Sequence, residues 1–353
     1  MFCKYESVTQ LATLPKAVLH DHLDGGLRPS TVLALAEESG YLDLPHHDEP
    51  ALAGWFDQSH SASLVDYLAS FRETIVVMQR PSALQRVARE AVEDYAADGV
   101  VYAEARFAPS LHLQQGMTRH EAIRAVLNGL AEGEEATGTV ARLIIDAMRQ
   151  DVDSAEVAEA AADFAGEGVV GFDLAGPEAG FPASAHREAL EGARRGGLRL
   201  TIHAGEADGP ASIADALDSG AERLGHGVRI VEDVVALEGQ IIEFGPIARR
   251  VHRDGVALEI CPYSNVHTGA VPSASQHPAG MLLRAGFNVT LNSDNRLMSD
   301  TSMSKEFSLA SSELGFSDDD LRAVTENAVQ AAFCDEGTRR AVAATIAARY
   351  GEA

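Results

Sequence analysis

The segment that decides the fold reads VVGFDLAGPEAGFPASAHREALEGARRGGLRLTIH and spans residues 169–203. It opens with VVGFDL and closes with LRLTIH, and both runs have the length and the aliphatic, β-branched character of buried strands. Between them, residues 183–195 carry alanine, glutamate and arginine at helical spacing. A strand, a helix and a second strand in this order predict two parallel strands joined by a helical crossover.

The same unit recurs along the chain. Helical spacing is also found in residues 82–97, 119–135 and 155–165, each between two apolar runs. Strands and helices that alternate eight times favour an α/β fold of the (β/α)8 TIM barrel type over an open sheet. The eight predicted strands are AVLH (17–20), VVYAEARF (100–107), ARLIID (141–146), VVGFDL (169–174), LRLTIH (198–203), RLGH (223–226), ALEI (257–260) and NVTLN (288–292).

Two regions are longer than the regular unit requires. Residues 27–99, between the first and second predicted strands, have room for several extra helices that form a lid, although residues 41–61 are rich in Pro, Asp, His and Ser and predict an irregular loop. Residues 304–353 have helical spacing throughout, and Ser317 followed by three aspartates is typical of a helix start. Because no linker or low-complexity tract interrupts the chain, we expect residues 1–353 to form a single domain.

The composition restricts the classes of partner. The 353 residues are 46% hydrophobic, which is enough for a large core. There are 28 Lys and Arg residues against 53 Asp and Glu residues, so the formal net charge is −25. Such an excess of negative charge repels nucleic-acid phosphates and anionic lipids. We therefore expect a small-molecule partner, with no nucleic acid and no membrane.

Cysteine usage and the first residues indicate the compartment. Cys3, Cys261 and Cys334 are odd in number, far apart and without a C-x-x-C pair, which disfavours both disulfides and a thiolate zinc site. Polar residues interrupt the apolar residues of segment 1–16, and no stretch of the chain reaches 18 consecutive apolar residues. The sequence therefore predicts a cytoplasmic protein.

Polar side chains stand where four of the predicted strands end. In a barrel of this type the functional site lies at that end of the strands. Because side chains alternate along a strand, His20, His22 and Asp24 project to the same side. His203 and Asp294 end the fifth and eighth strands, and three imidazoles with one carboxylate suit a catalytic Zn²⁺ that keeps a position open for water.

These residues also have ordinary interpretations. One His-x-His pair on a strand is more often two polar residues than two metal ligands, and one strand-end carboxylate is more often part of a buried hydrogen-bond network. Four polar strand ends together favour the metal site. The nine other histidines are interpreted as solvated and without a role, among them His46, His47, His60, His112 and His277.

The order of the motifs resembles that of the adenosine deaminases, a family of the metal-dependent amidohydrolase barrels. The matching stretches cover most of the chain and stand at the predicted strand ends. They are HDHLDG (20–25), VYAEARFAP (101–109), GFDLAG (171–176), HAGE (203–206), GHG (225–227) and LNSD (291–294).

The resemblance implies a hydrolase of purine salvage that converts adenosine or 2′-deoxyadenosine to inosine or 2′-deoxyinosine and ammonia. It implies one Zn²⁺ per chain and an activated water near Asp294, which makes Asp294 catalytic as well as a ligand. Attack at purine C6 builds charge on N1, so an acid beside N1 lowers the barrier. The implied metal ligands are His20, His22, His203 and Asp294.

The resemblance also implies roles around the substrate. Glu206 donates a proton to N1, and His226 orients the water or takes its proton. Gly176 offers its backbone N–H to N3, Asp24 meets the ribose 5′-hydroxyl, and His22 lies beside the substrate. A further set suggests an apolar gate over the sugar, although its helical spacing is equally typical of a core: Leu64, Tyr67 and Leu68.

The sequence departs from the family pattern after the eighth strand, where two consecutive acids are expected. Here Asp294 is followed by Asn295 and then Arg296. The second position is the one expected to meet purine N7, which accepts hydrogen bonds, and an amide donates without an extra proton. Asn295 is therefore compatible with adenosine, and the ordinary alternative is that it turns the loop.

Two alternatives to adenosine deamination are open at this point. One is deamination of another 6-aminopurine such as aminofutalosine, adenine or AMP, with AMP disfavoured by the negative net charge. The other is a non-catalytic binding descendant of the barrel, although no expected metal or acid residue is missing. The lack of P-C-x-x-C excludes a cytidine-deaminase-type zinc fold, and no motif for a redox or nucleotide cofactor is found. The sequence carries no signal for an oligomeric state.

Overall fold

The computed structural model describes residues 8–61 and 63–352, without the side chain of Glu352; Cys3 and the first part of segment 1–16 lie outside the described residues. Ten strands are found in the described part of the chain. They are β1 (Lys16–His22), β2 (Val100–Phe107), β3 (Val140–Met148), β4 (Val169–Ala175), β5 (Arg199–Ala204), β6 (Arg223–His226), β7 (Val234–Leu237), β8 (Gln240–Phe244), β9 (Ala257–Ile260) and β10 (Val289–Leu291).

Eight of these strands form one parallel sheet in the order β1-β2-β3-β4-β5-β6-β9-β10. The sheet closes where the segment after β10 meets β1: the His22 N–H donates to the Asp294 carbonyl at 2.7 Å, and the Asp294 N–H donates to the His20 carbonyl at 2.9 Å. The predicted TIM barrel is confirmed. Each of the eight predicted strands corresponds to one strand of this barrel.

Helices connect and cover the barrel strands. Helix α7 begins with a capping box between Thr118 and Glu121, and α15 begins with one between Ser317 and Asp320, as the Ser-Asp-Asp-Asp run predicts. The α-helices are α1 (Val8–Leu11), α2 (Pro29–Ser39), α3 (Glu49–Phe56), α4 (Leu64–Ala69), α5 (Phe71–Val77), α6 (Pro81–Ala97), α7 (Arg119–Thr137), α8 (Ser154–Ala162), α9 (Arg187–Arg195), α10 (Pro210–Asp218), α11 (Pro246–Asp254), α12 (Pro262–His267), α13 (Ala279–Arg284), α14 (Met303–Ser312), α15 (Asp318–Ala331) and α16 (Glu336–Glu352).

Helices α6 and α7 pack unusually close together because glycine replaces a side chain at the contact. A Cβ atom at Gly129 would lie 2.1 Å from the Gln85 carbonyl oxygen, and one at Gly133 would lie 2.5 Å from Val92 Cβ. Any larger residue would push the helices apart and open voids in the layer that covers β2 and β3.

The extra helices are confirmed at both predicted places, since α2 to α6 separate β1 from β2 and α14 to α16 follow β10. The prediction that residues 41–61 form an irregular loop is wrong in part. Helix α3 begins inside this segment, where the Asp48 side chain accepts from the Ala51 N–H and caps the helix. Burial of Leu52 and Phe56 then holds α3 against the core.

The hairpin of β7 and β8 was not predicted from the sequence. It lies between β6 and α11, and its apolar side chains Val235, Leu237 and Ile242 are exposed. Its strands therefore lack the alternation of buried and exposed residues that identifies a strand. Within residues 8–61 and 63–352, no helix combines the length and the apolar character that crossing a membrane requires.

Candidate metal centre and active site

Four predicted ligand residues meet at the carboxyl ends of the barrel strands. The Nε2 atoms of His20 and His22, at the end of β1, lie 3.3 and 3.5 Å from Asp294 Oδ1. His203, at the end of β5, places its Nε2 atom 3.3 Å from that of His22. The closure of the barrel between β1 and the segment after β10 brings these residues together, although they stand far apart in the sequence.

Each of the three imidazoles uses its other nitrogen to contact a buried carboxylate. A carboxylate accepts a hydrogen bond from Nδ1–H, so the lone pair of Nε2 is directed to the centre. Sequence reasoning missed these carboxylates, although each stands inside an apolar strand run, which is a usable signal. The pairs are His20–Glu259 at 2.9 Å, His22–Asp146 at 3.2 Å and His203–Asp173 at 2.9 Å.

Two arginines beneath the centre keep two of these carboxylates in place. Buried Arg106 donates to Asp173 Oδ2 at 2.6 Å and to Glu259 Oε2 at 2.9 Å, and Arg223 lies 2.7 Å from Glu259 Oε1. Burial raises the pKa of the Asp173 carboxyl, but the adjacent His203 imidazole and the charge of Arg106 outweigh burial and hold this pKa below its ordinary value. Asp173 therefore stays ionised and can orient its histidine.

The donor set fits a divalent transition metal. The His20 Nε2 atom is buried and makes no hydrogen bond with a described residue, and one ligand atom each from His20, His22 and His203 lie within 4.8 Å of one another. Burial disfavours ionisation of Asp294, but the His20 imidazole beside its carboxylate outweighs burial and holds the Asp294 pKa well below its ordinary value. Three imidazole nitrogens and one carboxylate oxygen are typical of a catalytic centre with an open position.

The pKa values of the His203 and His22 imidazoles are shifted in opposite directions. Burial lowers the pKa of His203 to about 3. Burial would lower that of His22 as well, but the hydrogen bond and charge of Asp146 raise it to about 9. An Nε2 atom that binds a metal carries no proton, so metal binding at His22 displaces one.

Cys261 also comes close to the centre, in a group with His20, His226 and Asp294. Burial, with the negative charge of Asp294, raises the pKa of its thiol well above the ordinary value. The thiol donates to the Glu259 carbonyl at 3.3 Å. Because thiolate is the metal-binding form of cysteine, the set with three histidines fits a metal better.

Two residues at the centre have a left-handed backbone conformation that is rare outside glycine. His226 has φ 61° and Asp294 has φ 56°, and both are buried. Such a conformation costs about 1–3 kcal/mol and persists where the surrounding structure enforces it, commonly at functional sites. Gly25 is required nearby, since a Cβ atom there would lie 2.0 Å from Asn295 Oδ1.

A cavity of about 260 Å³ opens beside the four ligand residues. Its mixed lining, polar at the centre and apolar at one wall, is typical of small-molecule sites. Every predicted site residue except His20 lines it: His22, Asp24, Gly176, His203, Glu206, His226, Asp294 and Asn295.

Two carboxyl groups of the cavity have unusual acidity. Burial raises the pKa of Glu206, whose Oε2 atom lies 3.6 Å from His226 Nε2. Burial also raises the pKa of Asp24 to about 6, and its Oδ1 atom has no hydrogen-bond partner among the described residues. Both groups are therefore available to a ligand that enters the cavity.

The loop that carries Glu206 is held by Glu178, which sequence reasoning missed. The Glu178 carboxylate accepts from the backbone N–H groups of Gly205 at 2.6 Å, Glu206 at 3.0 Å and Ala207 at 2.7 Å. It accepts from the Asp208 N–H at 3.0 Å as well. Four such bonds fix the backbone of Glu206 relative to His203.

An apolar wall closes the cavity on the side of α4 and α5. Leu64 and Leu68 are half-buried and line the cavity, and their role as a gate over the sugar stays a prediction. Tyr67 also lines it but is buried, and its hydroxyl lies 2.8 Å from Ser299 Oγ. Tyr67 thus connects α4 to the segment that follows the candidate ligand Asp294.

The interpretation of the remaining histidines as solvated holds for some and is wrong for others. His46, His47 and His60 are exposed. His112 and His277 are buried, because the turns after β2 and α12 fold back against the barrel. Loop position in the sequence does not reveal such burial.

The family model of adenosine deaminase matches residues 15–349. The chain belongs to the adenosine deaminase family. The adenosine deaminase of Mycobacterium ulcerans is 52% identical over 327 residues, which are 90% of this chain and 90% of the relative. That of Mycolicibacterium vanbaalenii is 51% identical over 335 residues, which are 93% and 92% of the two chains.

Solved structures of related deaminases share the barrel of this adenosine deaminase family member. The adenine deaminase from Arthrobacter aurescens has a TM-score of 0.86 at 28% identity and covers 96% of this chain and 100% of its own. The N6-methyl-AMP deaminase from Arabidopsis thaliana has a TM-score of 0.80 at 26% identity, with coverage of 98% and 100%. The fold is therefore that of purine deaminases, whose named substrates differ.

Proposed function

We propose that this protein is a zinc-dependent adenosine deaminase that converts adenosine and 2′-deoxyadenosine to inosine and 2′-deoxyinosine, with release of ammonia, in purine salvage. One observation carries the proposal: three imidazoles oriented by carboxylates meet Asp294 at a cavity that also holds the buried carboxyl of Glu206. Identity of about half to curated adenosine deaminases over nine-tenths of the chain supports the substrate.

His20, His22, His203 and Asp294 would hold one Zn²⁺ per chain, with their Nδ1–carboxylate pairs setting the direction of each imidazole. When bound there, the metal lowers the pKa of a water towards neutrality and so supplies the nucleophile for purine C6. The nitrogen-rich donor set favours zinc over magnesium or calcium, which prefer oxygen ligands.

Glu206 supplies the proton that the purine needs. Attack at C6 breaks the ring double bond to N1, and the electron pair moves to N1. Because burial raises the Glu206 pKa, the carboxyl holds a proton more readily than an exposed glutamate and can donate it to N1. The proton that the attacking water loses restores the Glu206 carboxyl, and the remaining hydroxyl proton passes to the amine. The amine then leaves C6 as ammonia, and the 6-oxo product keeps the new proton on N1.

The other cavity residues orient the nucleoside. The Asp24 carboxylate accepts a hydrogen bond from the ribose 5′-hydroxyl. The Gly176 N–H donates a hydrogen bond to N3, and the Asn295 amide donates one to N7. His226 directs its Nε2 atom to the attacking oxygen, and His22 borders the substrate as well as the metal. These groups surround the base on three edges, so C6 faces the metal side of the cavity.

A nucleoside fits the sugar end better than a nucleotide does. Asp24 stands where a 5′-phosphate would begin, and two negative groups at that position repel each other. The net charge of −25 adds to this repulsion. We therefore propose adenosine and 2′-deoxyadenosine as better substrates than AMP. Other 6-aminopurines such as aminofutalosine are the alternative substrates.

We further propose that residues 1–353 act as one catalytic domain, since ligands come from β1 and from the segment after β10. A cytoplasmic location is supported by the buried free thiols of Cys261 and Cys334. The excess of acidic residues supports a partner that is a small nucleoside, with no nucleic acid.

The test is the ultraviolet spectrum of adenosine during incubation with the purified protein, because loss of the 6-amino group changes the purine chromophore. We expect conversion of adenosine and 2′-deoxyadenosine, with ammonia released in equal amount. AMP, adenine and aminofutalosine are measured in parallel. If one of these compounds is converted faster than adenosine, that compound is the substrate instead. If neither adenosine nor any of the other compounds is converted, the result favours a binding protein.

A further inference from the structure

Three buried side chains form a hydrogen-bond chain behind His226, on the side away from the cavity. The Asn265 Nδ2 atom lies 2.9 Å from His226 Nδ1, and the His277 Nε2 atom lies 3.3 Å from Asn265 Oδ1. The Ala279 N–H donates to His277 Nδ1 at 3.2 Å. Asn265 is fully buried, and His226 and His277 are nearly so.

The direction of every bond in this chain follows from its first donor. A backbone N–H can only donate, so the Nδ1 atom of His277 accepts and its proton in the neutral ring sits on Nε2. That Nε2–H therefore donates to Asn265 Oδ1. Burial lowers the pKa of His277 to about 3, which keeps the ring neutral.

A second backbone donor fixes the orientation of the Asn265 amide. The Cys261 N–H donates to Asn265 Oδ1 at 3.3 Å, so the oxygen must face Cys261 and His277. The amide NH₂ then faces His226 and donates to its Nδ1 atom. With Nδ1 accepting, the neutral ring of His226 carries its proton on Nε2, which points into the cavity.

We infer that Asn265 and His277 are positioning residues that hold His226 as the Nε2–H tautomer, so that His226 donates a hydrogen bond to the attacking oxygen. This inference rests on the proposed function and deepens it. Sequence reasoning left two roles for His226, to orient the water or to take its proton. A neutral ring that already carries the Nε2 proton performs the first.

The backbone supports the same arrangement. His226 has the left-handed conformation with φ 61°, and Gly227, with φ 65°, continues it. The Asn265 N–H donates to the Cys261 carbonyl at 2.8 Å, which anchors Asn265 in α12. Both ends of the Asn265–His226 bond are thus attached to constrained backbone, so the ring has little freedom to choose another partner.

The decisive variant is Asn265→Asp, which keeps the shape and replaces the donor by an acceptor. A carboxylate at this position accepts from Nδ1–H, so the proton of the neutral His226 ring moves from Nε2 to Nδ1. Long-range ¹H–¹⁵N NMR of the histidine rings reports this tautomer directly in the purified protein without substrate. We expect Nε2–H in the wild type and Nδ1–H in Asn265→Asp.

Steady-state kinetics with adenosine give the second readout. We expect kcat of Asn265→Asp to fall by roughly 10²-fold while KM changes only a few-fold, because a wrongly placed proton acts on the reaction and not on nucleoside binding. Asn327→Asp is the matched control: Asn327 donates to the Val289 carbonyl at 3.0 Å, away from His226, and this variant should keep both tautomer and kcat.

His277 gives an independent pair of variants. His277→Phe removes the donor to Asn265 Oδ1 and should lower kcat, whereas His277→Gln restores an N–H at the same place and should recover most of it. This pair decides the question if Asn265→Asp does not fold. Equal loss in both variants would show that His277 only fills space, and the chain would then not act on His226.

The outcomes separate this inference from the proposed function. Nδ1–H at His226 in the wild type, or unchanged kcat in an Asn265→Asp variant whose tautomer has moved, would overturn the inference even if adenosine is deaminated. Absence of deamination by the wild type would overturn the proposed function, while the NMR result would still decide whether Asn265 sets the tautomer.

Discussion

Glu206 shows how one residue depends on its surroundings. It stands three positions after the proposed ligand His203, and Glu178 fixes the loop between them. Burial raises the pKa of Glu206. An exposed glutamate on the same loop would not have its pKa raised in this way. The proposed transfer of a proton to N1 therefore depends on burial as well as on position.

We expect Glu206→Gln to lower kcat by roughly 10²-fold or more, since general acid–base groups typically contribute that much. The fold and the metal content should be unchanged, because Gln keeps the shape and Glu206 is not a ligand. Stopped-flow or steady-state kinetics with metal analysis test this. The control is Glu167→Gln, an exposed glutamate that pairs with Arg124, and wild-type turnover in Glu206→Gln would refute the N1 role.

Asn295 is the residue that we propose contacts N7 of the substrate. Its side chain is buried at the cavity, packs on Gly25 and lies within hydrogen-bonding reach of the Tyr67 hydroxyl. The amide makes no hydrogen bond to the backbone of its own loop among the bonds found for the described residues, which favours a contact with the ligand over a turn.

We expect 7-deazaadenosine to lose roughly 10- to 100-fold in kcat/KM relative to adenosine, because a C–H in place of N7 leaves a buried amide unpaired at a cost of about 1–3 kcal/mol. Asn295→Leu should remove much of this discrimination and slow adenosine itself. Equal rates of the wild type with both nucleosides, after correction for their intrinsic reactivity, would show that Asn295 is not the N7 partner.

At the scale of elements, the turn after β2 buries an imidazole that the sequence places in a loop. His112 ends the 3-10 helix Pro109–His112, is fully buried, and its ring centroid lies 5.8 Å from that of Phe107. Burial lowers the His112 pKa to about 4 from 6.5. The ring is therefore neutral in the folded protein over a range where the unfolded chain is already protonated.

This difference makes stability depend on pH. The His112 ring binds its proton below about pH 6.5 in the unfolded chain, but only near pH 4 in the folded protein. The contribution of the buried neutral ring to the free energy of unfolding is therefore complete above pH 6.5 and is lost as the pH falls towards 4. At pH 5 the loss amounts to about 2 kcal/mol. We expect His112→Leu to lack this part of the acid sensitivity.

Urea unfolding of the wild type and of His112→Leu between pH 5 and pH 8 measures the effect. The variant should show a smaller decrease in the free energy of unfolding at the acid end, and both proteins should share the slope above pH 7. His46→Leu, a change at an exposed histidine, is the control. Parallel pH dependences of all three proteins would contradict the burial argument.

At the scale of the whole molecule, the proposed metal site joins distant parts of the chain. Its ligands come from β1, β5 and the segment after β10, and barrel closure brings these strands together. A metal that binds the folded protein and not the unfolded chain stabilises the fold. We therefore expect the proposed centre to affect both the activity and the thermal stability of the barrel.

We expect elemental analysis to find about one Zn²⁺ per chain, and chelation to abolish activity and lower Tm. His203→Ala should lose the metal as well as activity, since it removes one of three nitrogen ligands. Zinc added back after chelation should restore both properties. Full activity without a transition metal would refute the site, and two metals per chain would indicate a binuclear centre.

The sequence by itself determined the barrel, its extra helices and the residues that stand at the strand ends. These features are local: strand runs, helical spacing and the first polar residue after a run are all visible within short segments. Because parallel barrel strands end at one face, His20, His203 and Asp294 could be placed together from the sequence alone. The order of the motifs then sufficed to indicate the family.

Only the tertiary structure decided which side chains support that site from behind. The pairing of His20 with Glu259, and the bond from Asn265 to His226, join segments whose register depends on the closed barrel. The same holds for buried His112 and His277, which the sequence places in loops. Local patterns determine where a strand ends, but the partner of a buried polar group depends on which distant segment packs against it, since each such group must find its hydrogen bond within the folded chain.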